Sequence, residues 1–428
     1  MLIKSQSKPW KSLTISASVM LVLVMLWPIG AKADAVSDWS LIANTVVITN
    51  AATRPPASMI DFAYVHIAIY DAVNAIDGRY SVFSATPSSS AAGASPDAAT
   101  AAAAYTMLKA FYPAQQAYLD NVYANYLLSL PAGTATTQGI AIGTQVATAF
   151  LAQRAGDGRY ADVPYVFSFG PGAYQLTPGA PPVPIAPLFP WVAKMKPFAL
   201  DTPSQFRADG PPNLTSVQWA EDFNEVKAFG AQNSSARTPE QTAIAWFYIE
   251  NPGAQVNRNI RLIAAAHNMP IADSARFFAQ TWVSVADSLI ACWDSKYYYN
   301  FWRPVTAIRN ADSDGNPATE ADLSWSPLSI TPAHPEYPAA HGCVTSALAN
   351  SLADFFGDQQ LNITLTSTSV PNVPLAVRTF TRPQDMINEI IDARVYDGFH
   401  YRTSGVHGTV IGNKVAHWVS KHYFNPVK

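Results

Sequence analysis

Between Ser58 and Ile76 the chain reads SMIDFAYVHIAIYDAVNAI, with apolar side chains recurring three and four positions apart. A stretch so patterned reads as a helix with a buried face, which needs other elements to cover it. The same period recurs at about 97–111, 114–130, 137–155, 217–230, 238–250 and 257–268, in a long run over about 272–302, and at 339–356, 384–396 and 405–422. Residues 361–377, LNITLTSTSVPNVPLAV, alternate and are rich in Thr and Val, which fits a short strand or an extended loop. The Pro/Gly-rich stretch GPGAYQLTPGAPPVPIAPLFPWVAKMKP, from Gly170 to Pro197, excludes regular helix and central strand. The expected fold is therefore all-α: helical bundles with little β-structure. An N-terminal bundle at 34–170, a Pro-rich connector at 171–199 and a C-terminal bundle at 200–428 follow. With 428 residues, 49% of them hydrophobic, the chain has ample core-forming material, and a disordered or collagen-like state is excluded.

The first 33 residues have a basic start (Lys4, Lys8, Lys11), an apolar run from about Leu13 to Ile29, and Ala31-Lys32-Ala33 before Asp34. That layout is expected of a secretory signal that is removed, leaving an exported protein with no stable membrane insertion. No later stretch reads as long and apolar enough to span a bilayer. Without the leader, 23 basic residues stand against 30 acidic ones. A net-negative body is a poor general binder of nucleic acid, so any anion it holds must meet a local cluster of cations. The two cysteines, Cys292 and Cys343, are too few for a disulfide scaffold. An exported protein permits a bond between them, and two separate buried thiols are the plainer expectation.

Six of the eight histidines lie in the last 95 residues, and three segments of that half combine cations with helix breakers. In Lys296-Tyr-Tyr-Tyr-Asn-Phe-Trp-Arg303-Pro304, a continuous helix would place Lys296 and Arg303 on one face, with Pro304 ending it near the guanidinium. Alone, the pair also fits two cations reaching from a core helix to solvent. In His334-Pro-Glu336-Tyr-Pro338-Ala339-Ala340-His341-Gly342, the prolines tighten a loop and His341 opens an apolar helix. There the helix dipole disfavours its charged form, as suits a proton-transfer group near neutrality; a histidine satisfied by local backbone is the bland alternative. In Arg394-Val-Tyr-Asp397-Gly398-Phe399-His400, Gly398 permits a break that would turn Arg394 and His400 toward one point, although such a pair is weak evidence by itself.

Taken in order, Lys-x6-Arg-Pro, Pro-x-x-His and Arg-x5-His resemble the vanadium-dependent haloperoxidases and the related type 2 phosphatidic acid phosphatase superfamily. Phe301-Trp302-Arg303-Pro304 is the closest match. Arg54-Pro55-Pro56, Tyr70-Asp71-Ala72-Val73, Glu225-Val-Lys and Arg237-Thr-x-Glu240-Gln241 look like the bacterial haloperoxidase-like branch, and the resemblance covers roughly 40–428. It implies one oxyanion site. Lys296, Arg303 and Arg394 would hold the oxygens of vanadate or phosphate, and His400 would be the axial vanadium ligand, or the nucleophile toward phosphate. His341 would be the acid/base group, and Lys296 would polarise bound peroxide. The implied cofactor is vanadate and the implied partners are hydrogen peroxide, a halide and a small organic substrate. Nothing in the sequence marks an oligomer interface.

Two positions depart from the family pattern. Pro338-Ala339-Ala340-His341 stands where the family has Pro-Ser-Gly-His, so a hydroxyl donor is absent, which costs about 1.5–3 kcal/mol, or roughly ten- to a hundredfold in anion affinity. Ser404 stands where an Asp usually follows the third motif's histidine by four, and Asp397 is a candidate replacement. His407 is at most a neighbour of the site. An exported acid phosphatase working through a phosphohistidine is the alternative expectation, and a weakened oxyanion-binding pseudoenzyme the third.

Overall fold

Capping chemistry sets where the helices begin. Asp34 Oδ1 accepts from the Ser37 amide at 2.8 Å and starts α1 (Ala35–Asn44), which runs on as a π-helical turn over Thr45–Asn50. Helix α2 (Ala57–Asp77) stops at Gly78, whose φ of 73° is left-handed. Helices α3 (Pro96–Phe111) and α5 (Thr134–Gln153) pack on each other, with α4 (Gln116–Leu128) joining them. After the connector come α6 (Val217–Phe229), α7 (Pro239–Phe247), α8 (Pro252–Ala266), α9 (Ile271–Tyr299) and the short α10 (Pro304–Arg309). Helix α11 (Ala340–Phe356) leads to a two-stranded antiparallel hairpin, β1 (Ile363–Ser367) and β2 (Ala376–Phe380), with Ile363 opposite Phe380. Helices α12 (Pro383–Tyr396) and α13 (Arg402–His422) end the fold. This computed structural model describes residues 34–177, 186–357 and 361–427. The expected signal segment and the middle of the expected connector lie outside the described residues.

The all-α expectation holds, and α9 is why the elements cohere. It packs against α2, α11 and α13, and is buried along nearly its whole length from Ala272 to Lys296. Side chains from most of the helices, α1 and α13 among them but not α6 or α10, enter one continuous apolar cluster, within the compact unit Ala33–Lys428. A second cluster of Trp219, Phe223, Phe301, Trp302, Tyr337 and Tyr401 lies under the start of α10. Helices α11 and α13 meet backbone to backbone. A Cβ on Gly408 would stand 2.4 Å from the Ala339 carbonyl oxygen, and one on Gly412 would stand 2.2 Å from that of Cys343. Those two glycines let α13 approach the first turns of α11.

Two expectations need correction. Helix α2 is long and apolar enough to cross a bilayer, with a mean hydropathy of 1.2, and 89% of that window is buried inside the protein. Its apolar faces meet other helices. The long helix expected over about 272–302 ends at Tyr299, because Asn300 adopts a left-handed φ of 49°. Lys296 and Arg303 therefore do not share a helix. Arg303 instead caps α10, with Pro304 in the first helical position, where a missing N–H costs nothing. The alternating stretch at 361–377 forms a short strand, β1, as expected, and then a loop into the first two residues of β2.

Candidate oxyanion site

Loop 334–338 sits at the centre of the site. Lys296, wholly buried near the C-terminal end of α9, donates from Nζ to the carbonyl oxygens of Pro335 at 3.1 Å, Glu336 at 2.7 Å and Pro338 at 2.5 Å. All three of its hydrogens are used on that loop. Burial pushes the ammonium down to about 8. Arg303, also wholly buried, reaches the same loop from the other side. Its Nε donates to the His334 carbonyl at 2.9 Å, Nη1 to the Phe399 carbonyl at 3.0 Å, and Nη2 lies 3.1 Å from His334 Nδ1. Burial pulls it down to about 10. Although the two cations sit on different helices, both brace one loop.

The break expected at Gly398 is present. Its φ is 75°, a Cβ there would stand 2.5 Å from the Gly230 carbonyl oxygen, and the amides of Phe399 and His400 both donate to the Arg394 carbonyl at 3.3 Å. The chain turns back and brings His400 to Arg303, with Nε2 3.2 Å from Nη1. Guanidinium only donates, so Nε2 carries a lone pair and the ring proton belongs on Nδ1. Nδ1 faces Glu336 Oε1 at 2.8 Å; that oxygen also accepts from the Tyr401 amide at 3.2 Å, and Glu336 Oε2 accepts from the Ser404 hydroxyl at 2.6 Å. Burial first, then Arg303 and Lys296, hold the His400 imidazole well below the usual range, so it is neutral. Burial raises Glu336 to about 7, against the pull of Lys296 and Ser404.

Ser404, which stands in the place of the family's carboxylate, thus anchors a carboxylate supplied from another element. Asp397 does not take that part. It pairs with Arg394 Nη1, and burial raises it to about 7. His407 Nδ1 bonds the Tyr337 hydroxyl, one residue from Glu336, and lies outside the cluster. Cys292 and Cys343 are free and buried, and the Cys292 thiol faces the Pro338 carbonyl at 3.7 Å.

His341 falls in the first turn of α11, as expected. Its Nε2 is buried without a hydrogen-bond partner among the described residues, and so is Arg394 Nε. Burial and the neighbouring Arg394 and Lys296 hold His341 well below the usual histidine range. His341, Arg394, His400 and His334 line one cavity of about 220 Å³. Of the five sequence-expected residues, His341, Arg394 and His400 line the cavity, Arg303 reaches His400, and Lys296 braces loop 335–338 beside them; sequence reasoning missed Glu336 and His334. Among the described residues, no group of three or more His, Cys, Asp or Glu could hold a metal cation. Three buried cations against two buried carboxylates, with two inward polar atoms unpaired, make a donor set that fits a tetrahedral oxyanion. His400 Nε2 adds a neutral ligand nitrogen fixed by a carboxylate behind it.

Comparisons with known proteins show what the chain is similar to. The family model for the VCPO second helical-bundle domain matches residues 276–428. The chain is 28% identical over 379 residues to vanadium chloroperoxidase from Curvularia inaequalis, covering 71% of this chain and 62% of that protein's length. A bacterial vanadium-dependent iodoperoxidase structure superposes with a TM-score of 0.75 at 25% identity, covering 91% of this chain and 97% of that one. The holo form of a bacterial vanadium-dependent chloroperoxidase shares the fold, with a TM-score of 0.69 at 19% identity and 92% and 93% coverage. Residues 276–428 thus match the VCPO second helical-bundle domain, and the chain as a whole is similar in sequence and fold to the vanadium-dependent haloperoxidases.

Proposed function

We propose that this protein is an exported, vanadate-dependent haloperoxidase-like enzyme, which turns a halide, hydrogen peroxide and a proton into hypohalous acid and water. The single observation behind the reading is the neutral His400 imidazole, its Nε2 lone pair facing Arg303 and its Nδ1 proton held by Glu336. Vanadate, when bound, supplies a Lewis-acidic centre that activates peroxide without changing its own oxidation state. His400 Nε2 would be its protein ligand, and Arg303 and Arg394 would hold its oxygens, the unpaired Arg394 Nε being the free donor. Lys296 holds loop 335–338 in place and adds positive charge; to reach an oxygen it must release one of three carbonyls. His341, neutral and with Nε2 unpaired, is equipped to take a proton from incoming peroxide at that atom.

One observation also favours phosphoryl transfer. A carboxylate behind the imidazole is what a nucleophilic His400 requires, and Glu336 supplies it. The test separates the two readings. Purified protein reconstituted with orthovanadate and given bromide, peroxide and a phenolic dye brominates the dye, and His400→Ala protein does not. Hydrolysis of p-nitrophenyl phosphate by the vanadate-free protein, inhibited by vanadate and without bromination, would instead establish the phosphatase.

A further inference from the structure

Above the cluster, the 220 Å³ cavity is walled by Met59, Phe189, Leu289, Trp293 and Val344, and the exposed Arg54 stands at its edge. None of its lining residues is acidic, and its charged or titratable members are Arg54, Arg394 and three histidines. A small hydrated halide gains nothing from apolar walls, whereas a ring gains about 25 cal/mol for each Å² of apolar surface it buries. Pockets for drug-sized ligands begin at about 300 Å³, and part of this cavity is the oxyanion's own seat at His341, Arg394 and His400, so the space left suits at most a single ring. The wall is also built to keep its shape. Phe189 is held at a left-handed φ of 61°, and its neighbour Leu188 is pinned twice, its amide donating to the Ala333 carbonyl at 2.8 Å and its carbonyl accepting from the Tyr297 hydroxyl at 2.6 Å. Trp293 is 3% exposed, and its indole N–H has no acceptor among the described residues.

We infer that this cavity seats the organic substrate, and that the substrate class is a small single-ring organic anion, its charged group at Arg54 and its ring among Phe189, Leu289 and Trp293. The inference rests on the haloperoxidase reading for its chemistry. Hypohalous acid formed at the cluster halogenates the seated ring: a carbon–hydrogen bond is replaced by a carbon–halogen bond, and the released proton leaves with the hydroxyl as water. Arg54 then decides which rings are held, and Arg394, His341 and His400 mark the end of the cavity where halogen is delivered.

Calorimetric titration of the full-length protein with 4-hydroxybenzoate and with phenol, in the absence of peroxide, tests this. An exposed ion pair contributes up to about 1 kcal/mol, so 4-hydroxybenzoate should bind about fivefold more tightly than phenol. Arg54→Ala should erase that gap and Arg54→Lys should keep most of it. Equal affinities in the wild type, or a gap that survives in Arg54→Ala, would overturn the inference even if phenol is brominated normally. A rise in the bromide KM of Arg54→Ala, with 4-hydroxybenzoate binding unmoved, would also overturn it, making Arg54 a halide collector. If the gap behaves as expected but no halide turns over, the anion seat stands and the haloperoxidase reading falls.

Discussion

Glu336 Oε1 lies 2.8 Å from His400 Nδ1, so a carboxylate in a Pro-rich loop fixes the tautomer of an imidazole 64 residues away. The Ser404 hydroxyl, 2.6 Å from the other carboxylate oxygen, holds Glu336 in turn. In the chain His400–Glu336–Ser404, the serine stands at the position where the resemblance leads one to expect an Asp.

Replacing the carboxylate therefore weakens the ligand it orients. Glu336→Gln keeps the shape but removes the charge behind the imidazole, and removal of such a partner costs about ten- to a hundredfold in affinity. Vanadate titration followed by ⁵¹V NMR should show that loss for Glu336→Gln and a smaller one for Ser404→Ala. Unchanged affinity in both would mean that Glu336 is a buried bystander.

Lys296 should matter to stability as well as to chemistry, because its ammonium satisfies three buried carbonyls. A buried acceptor left without its donor costs about 1–3 kcal/mol, so Lys296→Met should lower the unfolding free energy by at least about 3 kcal/mol. Urea denaturation measures this. A variant that loses activity at full stability would show that the lysine does not brace the loop.

How far the sequence reaches is clear from where the site residues sit. Lys296, Arg303, His341, Arg394 and His400 are legible because each lies beside a helix boundary or breaker that sequence can reveal: Pro304, Pro338, Gly398. Glu336 is not legible as the carboxylate of His400. Asp397 is far nearer in sequence, and only the fold reveals that Asp397 turns to Arg394 while loop 334–338 swings Glu336 under the imidazole. The helical period gives most elements to within a few residues. Helix α8 nonetheless starts at Pro252, five residues before the expected 257, because the Asn251 side chain caps it ahead of the apolar pattern. The ten-residue α1, AVSDWSLIAN, is short, and sequence reading does not separate it from the segment before it.

His66 gives a pH prediction independent of function. It is wholly buried on α2, both ring nitrogens lack partners among the described residues, and its ring lies 5.0 Å from Phe278. Burial lowers it to about 3 from 6.5. The unfolded chain thus binds this proton below pH 6.5 while the fold resists it, so stability is full above 6.5 and falls as pH drops toward 3. At pH 5 the loss from this group is about 2 kcal/mol. His66→Phe should shrink the difference in unfolding free energy between pH 7.5 and pH 5 by that amount. An unchanged difference would show that the imidazole is not held neutral.

The most direct test of the oxyanion site is the vanadium content of the full-length protein after reconstitution with orthovanadate and desalting, for the wild type and His400→Ala. About one vanadium per chain in the wild type, lost in His400→Ala while the fold persists by circular dichroism, is the expected result. No vanadium retained by the wild type, or equal retention by His400→Ala, would contradict it.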